Sequence, residues 1–232
     1  MSETSIDGAT YFRKQDWAYD QVRAQILSGG IPAGKPIGQE DLADSLNISR
    51  IPLREALSRL KAEGWLEGLP HRRLVVPALS LAGARDIYTG RASLESTLAR
   101  TAAAAGPHAP LAVARAVLDR QRHASDTGDL PGFRALDREF HMGIYALAGM
   151  PQSMSAAAQL YALGERYVGL YLGTTDRSDE SLAEHARILE AVETGDADAA
   201  EALTREHISH GLVVLEDFLL PAEPPPSEMS DE

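Results

Sequence analysis

Between Ile37 and Trp65 the apolar residues recur with helical spacing in two short runs split by a polar turn. Leu42, Ala43 and Leu46 share one side of a pattern running from Glu40 to Leu46, which stops at Asn47, a residue that favours turns and tolerates left-handed backbone. Ile48 is an apolar plug between the runs. Ser49 is a natural N-cap for the second run, and Pro52 falls in its first turn, where a missing N–H forfeits no helical bond. Leu53, Ala56, Leu57 and Leu60 then recur at i, i+3, i+4 and i+7 as an inward stripe, with Arg50, Arg54, Ser58 and Lys61 on the adjacent outward arc. Two helices joined this way read as a helix-turn-helix. Upstream, Ala18, Val22 and Ile26 repeat every four residues from Trp17 to Leu27, a first helix that ends at Ser28-Gly29-Gly30; Ile31 to Gly34 reads as a loop. Downstream, Trp65 to Val76 places two short apolar runs around a Gly, Pro and basic centre, which predicts a β-hairpin wing with Arg72 and Arg73 at its tip.

From Leu81 to Leu220 the pattern changes to Ala-, Leu- and Arg-rich helix, punctuated at Gly106-Pro107, Gly128, Gly149-Met150-Pro151, Gly173-Thr174-Thr175 and Gly195. These breaks predict about six helices and no strands. Pro77 to Ser80 reads as a linker with Ser80 as an N-cap. The chain is therefore mainly α: an N-terminal winged helix-turn-helix (three helices plus a β-hairpin) over 11–77, an all-α bundle over 78–220, and a disordered Pro-rich acidic tail over 221–232.

Several polar residues interrupt the apolar faces of the second half. Asp137 and His141 sit at i and i+4, with Ile144, Tyr145 and Ala148 continuing their side; His185 lies between Leu182 and Leu189, ahead of Val192; His207 follows Leu203 by four residues, with Val214 and Phe218 extending its face. A lone histidine on such a face is ordinarily one bonded to a neighbour. Four ligand-type side chains from three helices favour a shared partner instead, because each unpaired buried polar group costs on the order of 1–3 kcal/mol. One carboxylate and three imidazoles suit a divalent ion such as Zn, Mn, Ni, Fe or Co, and leave coordination positions free. His210, one turn from His207, is the substitute if the register differs; His71, His108 and His123 lie in wing, loop or surface contexts.

Charge sharpens the division. The net charge is −12, yet residues 1–77 carry ten Lys/Arg and ten Asp/Glu, so all the excess acidity lies in residues 78–232, while Arg50 to Val76 holds six basic and three acidic residues. A locally basic helix with two arginines, a hydroxyl and a lysine on one side suits the DNA major groove, and the acidic remainder should make affinity steeply salt-dependent. The other reading of that arc is an ordinary solvated face. Cysteine is absent, which excludes disulfides, thiolate zinc sites and Cys nucleophiles. The N-terminus has no apolar signal core and no stretch suits a membrane span, so a cytoplasmic location is expected.

The segments AYDQVRAQILSGGIPAGKPI and EDLADSLNISRIPLREALSRLKAEGWL, and above all SRIPLREALSRLKAEG, resemble the winged helix-turn-helix of the GntR family of bacterial transcription regulators. The wing departs from the family's Gly-Arg-Gly with Pro70-His71-Arg72-Arg73. Residues 81–220, through Asp137-x-x-Phe140-His141, Glu184-His185 and Glu206-His207, resemble the FCD effector-binding domain of the FadR branch; Met150 replaces a common Asn, which should matter only to a helix cap. The resemblance implies that Arg50 and Arg54 are the principal DNA-contacting arginines; Ser49 and Ser58 of the same helix and Arg72 and Arg73 of the wing complete the expected DNA face. It implies a metal on Asp137, His141, His185 and His207, and a small organic acid beside it. Arg91, within GRASLES, would then contact an effector carboxylate with Glu95 as helper, a surface ion pair being the alternative.

The expectation is thus a homodimeric, non-enzymatic regulator that binds a two-fold symmetric double-stranded operator, most simply as a repressor, and changes affinity when the acid binds. The rival is a metal-dependent hydrolase in which the Asp/His set activates water. A third possibility keeps the regulator and lets the histidines bind the acid directly.

Overall fold

The computed structural model describes residues 8–70, 73–106, 111–171 and 177–219, and the chain divides into two compact units, Met1–Leu79 and Ser80–Glu232. The first unit holds helices α1 (Gly8–Leu27), α2 (Gln39–Ser45) and α3 (Arg50–Ala62), then strands β1 (Glu67–Leu69) and β2 (Arg73–Val75). The strands pair antiparallel with Gly68 opposite Leu74, as the hairpin pattern predicts. Helix α1 starts well before the periodic segment. Its early turns left no trace in the hydrophobic pattern because Lys14, Asp16 and Trp17 are all exposed; Ala18, Val22 and Ile26 are the residues that pack inward, with α1 lying against α3.

Asn47 takes the left-handed conformation expected of it, with φ 51°. Ser49 occupies the N-cap position of α3 in extended backbone, but its side chain makes no capping bond. The third residue of the helix is Pro52, which has no N–H to donate, so the usual partner of a capping hydroxyl is missing. The segment expected as a loop at Ile31 to Gly34 also belongs to the wing. Gly34 N–H donates to Val76 O at 2.9 Å and Ile37 N–H to Leu74 O at 2.8 Å, which ties a third extended segment to β2. Leu53, Ala56, Leu57, Leu60, Trp65 and Val75 complete the core of the unit.

The second unit contains, among the described residues, α4 (Leu81–Ala104), α5 (Leu111–Asp126), α6 (Leu130–Ala146), α7 (Pro151–Tyr171), α8 (Ser178–Thr194) and α9 (Ala197–Leu219). Ser80 caps α4 as expected, accepting from Gly83 N–H at 3.1 Å. Asp129 caps α6 through Gly132 N–H at 3.0 Å. Gly195, at φ 76°, supplies the left-handed residue that ends α8. Helix α4 packs along α9 and α7, α5 against α6 and α8, and α8 against α9. The shared core is built from Leu98, Phe140, Ile144, Tyr145, Ile188, Leu189 and Val192 among others. Met150 packs against that core as well as preceding α7, so it does more than occupy a cap position.

Helix α9 corrects one face. Its buried residues are Ala200, Thr204, Ile208 and Leu215, whereas Phe218 is exposed and Val214 only partly buried. The arc is displaced by about one position because α9 packs on both α4 and α8, and His207 falls on the shoulder that faces α8. The expected break at residues 173–175, the tail from 221 onward, and Arg72, His71 and His108 lie outside the described residues. No helix among the described residues is long and apolar enough to cross a membrane.

Candidate functional site

Helix α3 presents Arg50, Arg54, Ser58 and Lys61 on one exposed side, with Ser49 exposed at its start and Arg73 exposed on the wing. The fourth cation of the helix, Arg59, is used internally: it pairs with Asp16 at 3.4 Å and Glu63 at 2.9 Å and lies 4.0 Å over the Tyr19 ring, fixing α3 to α1. Arg50 is held by Glu40 at 2.7 Å. Both groups are about 70 % exposed, so the pair contributes only about 0–1 kcal/mol and a phosphate can displace the carboxylate.

In the second unit the fold brings Asp137, His141, His185 and His207 together from α6, α8 and α9. The three histidines each offer a ring nitrogen, and these nitrogens lie within 4.8 Å of one another. Asp137 Oδ1 stands 3.4 Å from His185 Nε2. Two ligands of one tetrahedral ion, each about 2.1 Å from it, are separated by roughly that distance.

Further side chains surround the set, and Gln121 and Tyr161 among them are site members not named from the sequence. His185 Nδ1 lies 3.0 Å from Gln121 Oε1, and Gln121 Nε2 donates to Asp137 Oδ1 at 3.3 Å. Tyr161 donates its hydroxyl proton to Asp137 Oδ2. His141 Nδ1 is 3.1 Å from the Tyr145 hydroxyl, which donates to Glu95 Oε2 at 3.0 Å. His207 Nδ1 meets Glu184 Oε2 at 2.6 Å, and His210 Nδ1 meets Glu184 Oε1 at 2.7 Å. His210 is therefore an outer partner of Glu184 and does not replace His207. With every Nδ1 engaged outward, the Nε2 atoms are left for the common centre; that of His185 also lies 3.5 Å from the Ser181 hydroxyl, and His141 Nε2 is buried with no hydrogen-bond partner. His123 lies exposed on α5, away from the cluster. Gln121 had a visible signal as well: it sits on the buried stripe of α5 between Leu118 and Ala124.

The electrostatics fit a cation site. Burial pushes His185 down to about 4 and His141 well below the usual imidazole value, which keeps lone pairs available for coordination. Burial alone would raise the Asp137 carboxyl, but the three imidazoles and the Tyr161 hydrogen bond outweigh it and hold Asp137 well below the ordinary carboxylate range. Burial likewise opposes ionisation of Glu184, and the hydrogen bonds from His207 and His210 bring it down to about 2.

Arg91 and Glu95 form a buried pair, not a surface one. Arg91 Nε donates to Glu95 Oε1 at 2.7 Å, and its guanidinium lies 4.5 Å over the Tyr161 ring and 5.0 Å over Tyr88. Gly164 permits this approach, since a Cβ there would stand 3.2 Å from Arg91 Nη1. Glu95 is accordingly spoken for on both oxygens, by Arg91 and by Tyr145, and a hydrogen-bonded chain runs from Arg91 through Glu95 and Tyr145 to His141.

Residues 86–210 match the FCD domain model, and residues 14–76 match that of bacterial regulatory proteins of the gntR family. The chain is similar to an uncharacterized HTH-type transcriptional regulator of Agrobacterium vitis, 30% identical over 64% of this chain and 88% of that protein. It is also similar to the HTH-type transcriptional repressor RspR of Escherichia coli, 26% identical over 82% of this chain and 83% of that one. Among solved structures, E. coli McbR/YncC shares the fold with a TM-score of 0.76 at 21% identity, covering 88% of this chain and 97% of the other.

Proposed function

This chain belongs to the GntR family of bacterial regulatory proteins, with an FCD domain as its second unit, and from that premise we propose that a small organic acid beside a divalent metal sets its affinity for operator DNA. The chain is a DNA-binding transcription regulator, and its relatives are regulators rather than enzymes, which removes the motive for the hydrolase alternative. The finer reading is a homodimeric repressor of the FadR branch. Ser49, Arg50, Arg54, Ser58, Arg72 and Arg73 contact a two-fold symmetric operator, and Asp137, His141, His185 and His207 hold Zn, Mn or Ni.

The observation that carries the metal reading is the buried, partnerless Nε2 of His141 among three converging ring nitrogens, with the Asp137 carboxylate 3.4 Å from His185 Nε2. Lone pairs so placed repel one another unless a cation sits between them. A bound ion would supply Lewis-acid positions for a carboxylate oxygen of the acid. The protein's own part is to fix the imidazoles, to keep those of His141 and His185 unprotonated by burial, and to offer Arg91 as a nearby cation. Arg91 already serves Glu95, so an acid reaching it must share or displace that carboxylate. A coupling of about 1–3 kcal/mol between acid and operator suffices for a 5–150-fold switch.

The test is a thermal-shift screen of small organic acids, run on the protein as isolated and again after chelation and dialysis. An acid that raises the melting temperature only with metal present supports the site as its seat. Stabilisation indifferent to chelation would leave the regulator intact and sink the metal-linked mechanism in favour of direct binding by the histidines.

A further inference from the structure

We infer that Gln121 is the positioning residue of the metal centre: one side-chain amide that orients two of the four ligands, Asp137 and His185, and fixes the proton of His185 on Nδ1. The inference rests on the metal reading above and goes beyond its ligand set.

Gln121 is fully buried on α5, a helix that contributes no ligand, yet its amide spans the gap between a ligand from α6 and one from α8. The orientation of that amide follows from its neighbours. A carboxylate only accepts hydrogen bonds, so the amide nitrogen must face Asp137 Oδ1, at 3.3 Å. The amide oxygen then faces His185 Nδ1 at 3.0 Å, and because that oxygen only accepts, Nδ1 must carry the proton. His185 Nε2 is left with its lone pair, 3.4 Å from Asp137 Oδ1 and 3.5 Å from the Ser181 hydroxyl, which can donate to it. Turning the amide over would set its oxygen against the Asp137 carboxylate, two acceptors facing each other. The same logic holds His141 through Tyr145 and His207 through Glu184, but those partners serve one ligand each. Gln121 couples two, so its loss frees both at once. Phe140, stacked on the His185 ring at a centroid distance of 4.7 Å, restricts tilt but cannot choose the tautomer.

Outer partners of metal-bound histidines typically change metal affinity by about 10–100-fold when removed. The experiment is Co(II) titration of the chelated full-length protein and its Gln121→Met variant, followed by visible absorption. The expected result is affinity weakened about 10–100-fold with an altered ligand-field spectrum, because Asp137 and His185 both lose their fixed orientation. Wild-type affinity and an unchanged spectrum in the variant would reduce Gln121 to core filling and overturn the inference while leaving the metal reading in place. No Co(II) binding by the wild type would instead remove the metal reading itself. A second measurement needs no variant: the imidazole 15N shifts of the metal-free wild type should show His185 protonated on Nδ1 and bare on Nε2. The opposite tautomer would overturn the inference whether or not the variant folds.

Discussion

At the scale of single residues, Glu95 shows how a position can be rich in chemistry and still be structural. It is completely buried, takes Arg91 on one oxygen and Tyr145 on the other, and leaves neither for a ligand. Removing one partner of a buried ion pair strands the other charge, at about 3–5 kcal/mol. Glu95→Ala should therefore lower the urea midpoint by a corresponding amount, and a midpoint within experimental error of wild type would show Arg91 to be satisfied elsewhere. Arg54 makes the opposite case, since it is exposed and acts outward. Arg54→Ala should cost about 1–3 kcal/mol of operator affinity in fluorescence anisotropy and leave metal content unchanged. Loss of metal in that variant would count against two separately acting units. Glu40→Gln releases Arg50 from its exposed partner, and operator affinity should rise by no more than about fivefold, the equivalent of an exposed pair.

At the scale of helices, the readable features were those carried by short-range spacing. The stripe of Leu53, Ala56, Leu57 and Leu60, the turn at Asn47, the cap at Ser80 and the inward direction of Asp137, His141 and His185 all depend on neighbours within about two turns. What stayed hidden depends on pairings across the chain: Gln121 with Asp137 and His185, Tyr145 with Glu95, and Glu184 with His207. The outer shell is thus assembled by tertiary packing that no local window contains. The face of α9 was misplaced for a related reason, because a helix that serves two neighbours centres its buried arc between them. Ser49 fails as a capping side chain for a wholly local reason, the absent N–H of Pro52.

These helices also carry a pH dependence. His185 is depressed from its usual value of 6.5 to about 4, so between those values the unfolded chain binds the proton and the folded chain does not. Stability must then rise with pH across that window and fall as pH drops from about 6.5 toward 4. Glu184, lowered to about 2, extends the loss below its ordinary value of 4.5 in the same direction. The melting temperature of chelated protein should decline through this range. A flat profile between pH 7 and 5 would mean that His185 takes up its proton in the fold as readily as in the unfolded chain.

At the scale of the whole molecule, chelation is the informative perturbation. An ion bound by the folded state alone stabilises it by about 2.7 kcal/mol at a hundredfold excess over its dissociation constant. Chelation should lower the melting temperature of the wild type, and adding Zn or Mn should restore it; His185→Ala should melt at the same temperature with or without the chelator. A chelation-sensitive His185→Ala protein would place the responsible ion elsewhere. The charge division acts at this scale as well. With the surplus of −12 kept out of residues 1–77, DNA binding rests on the basic residues between Arg50 and Val76, and operator affinity should fall steeply between 50 and 200 mM salt.

Drawing the ligands from α6, α8 and α9 has a physiological consequence. On the proposed metal reading no single helix could hold the ion, so the seat for the acid would exist only while the cell supplies that ion, whereas the DNA-reading unit builds its core from residues 18–76. On that reading a metal-starved cell would keep a regulator that still grips its operator but no longer answers to the acid, so that a shortage of the ion overrides the small-molecule signal.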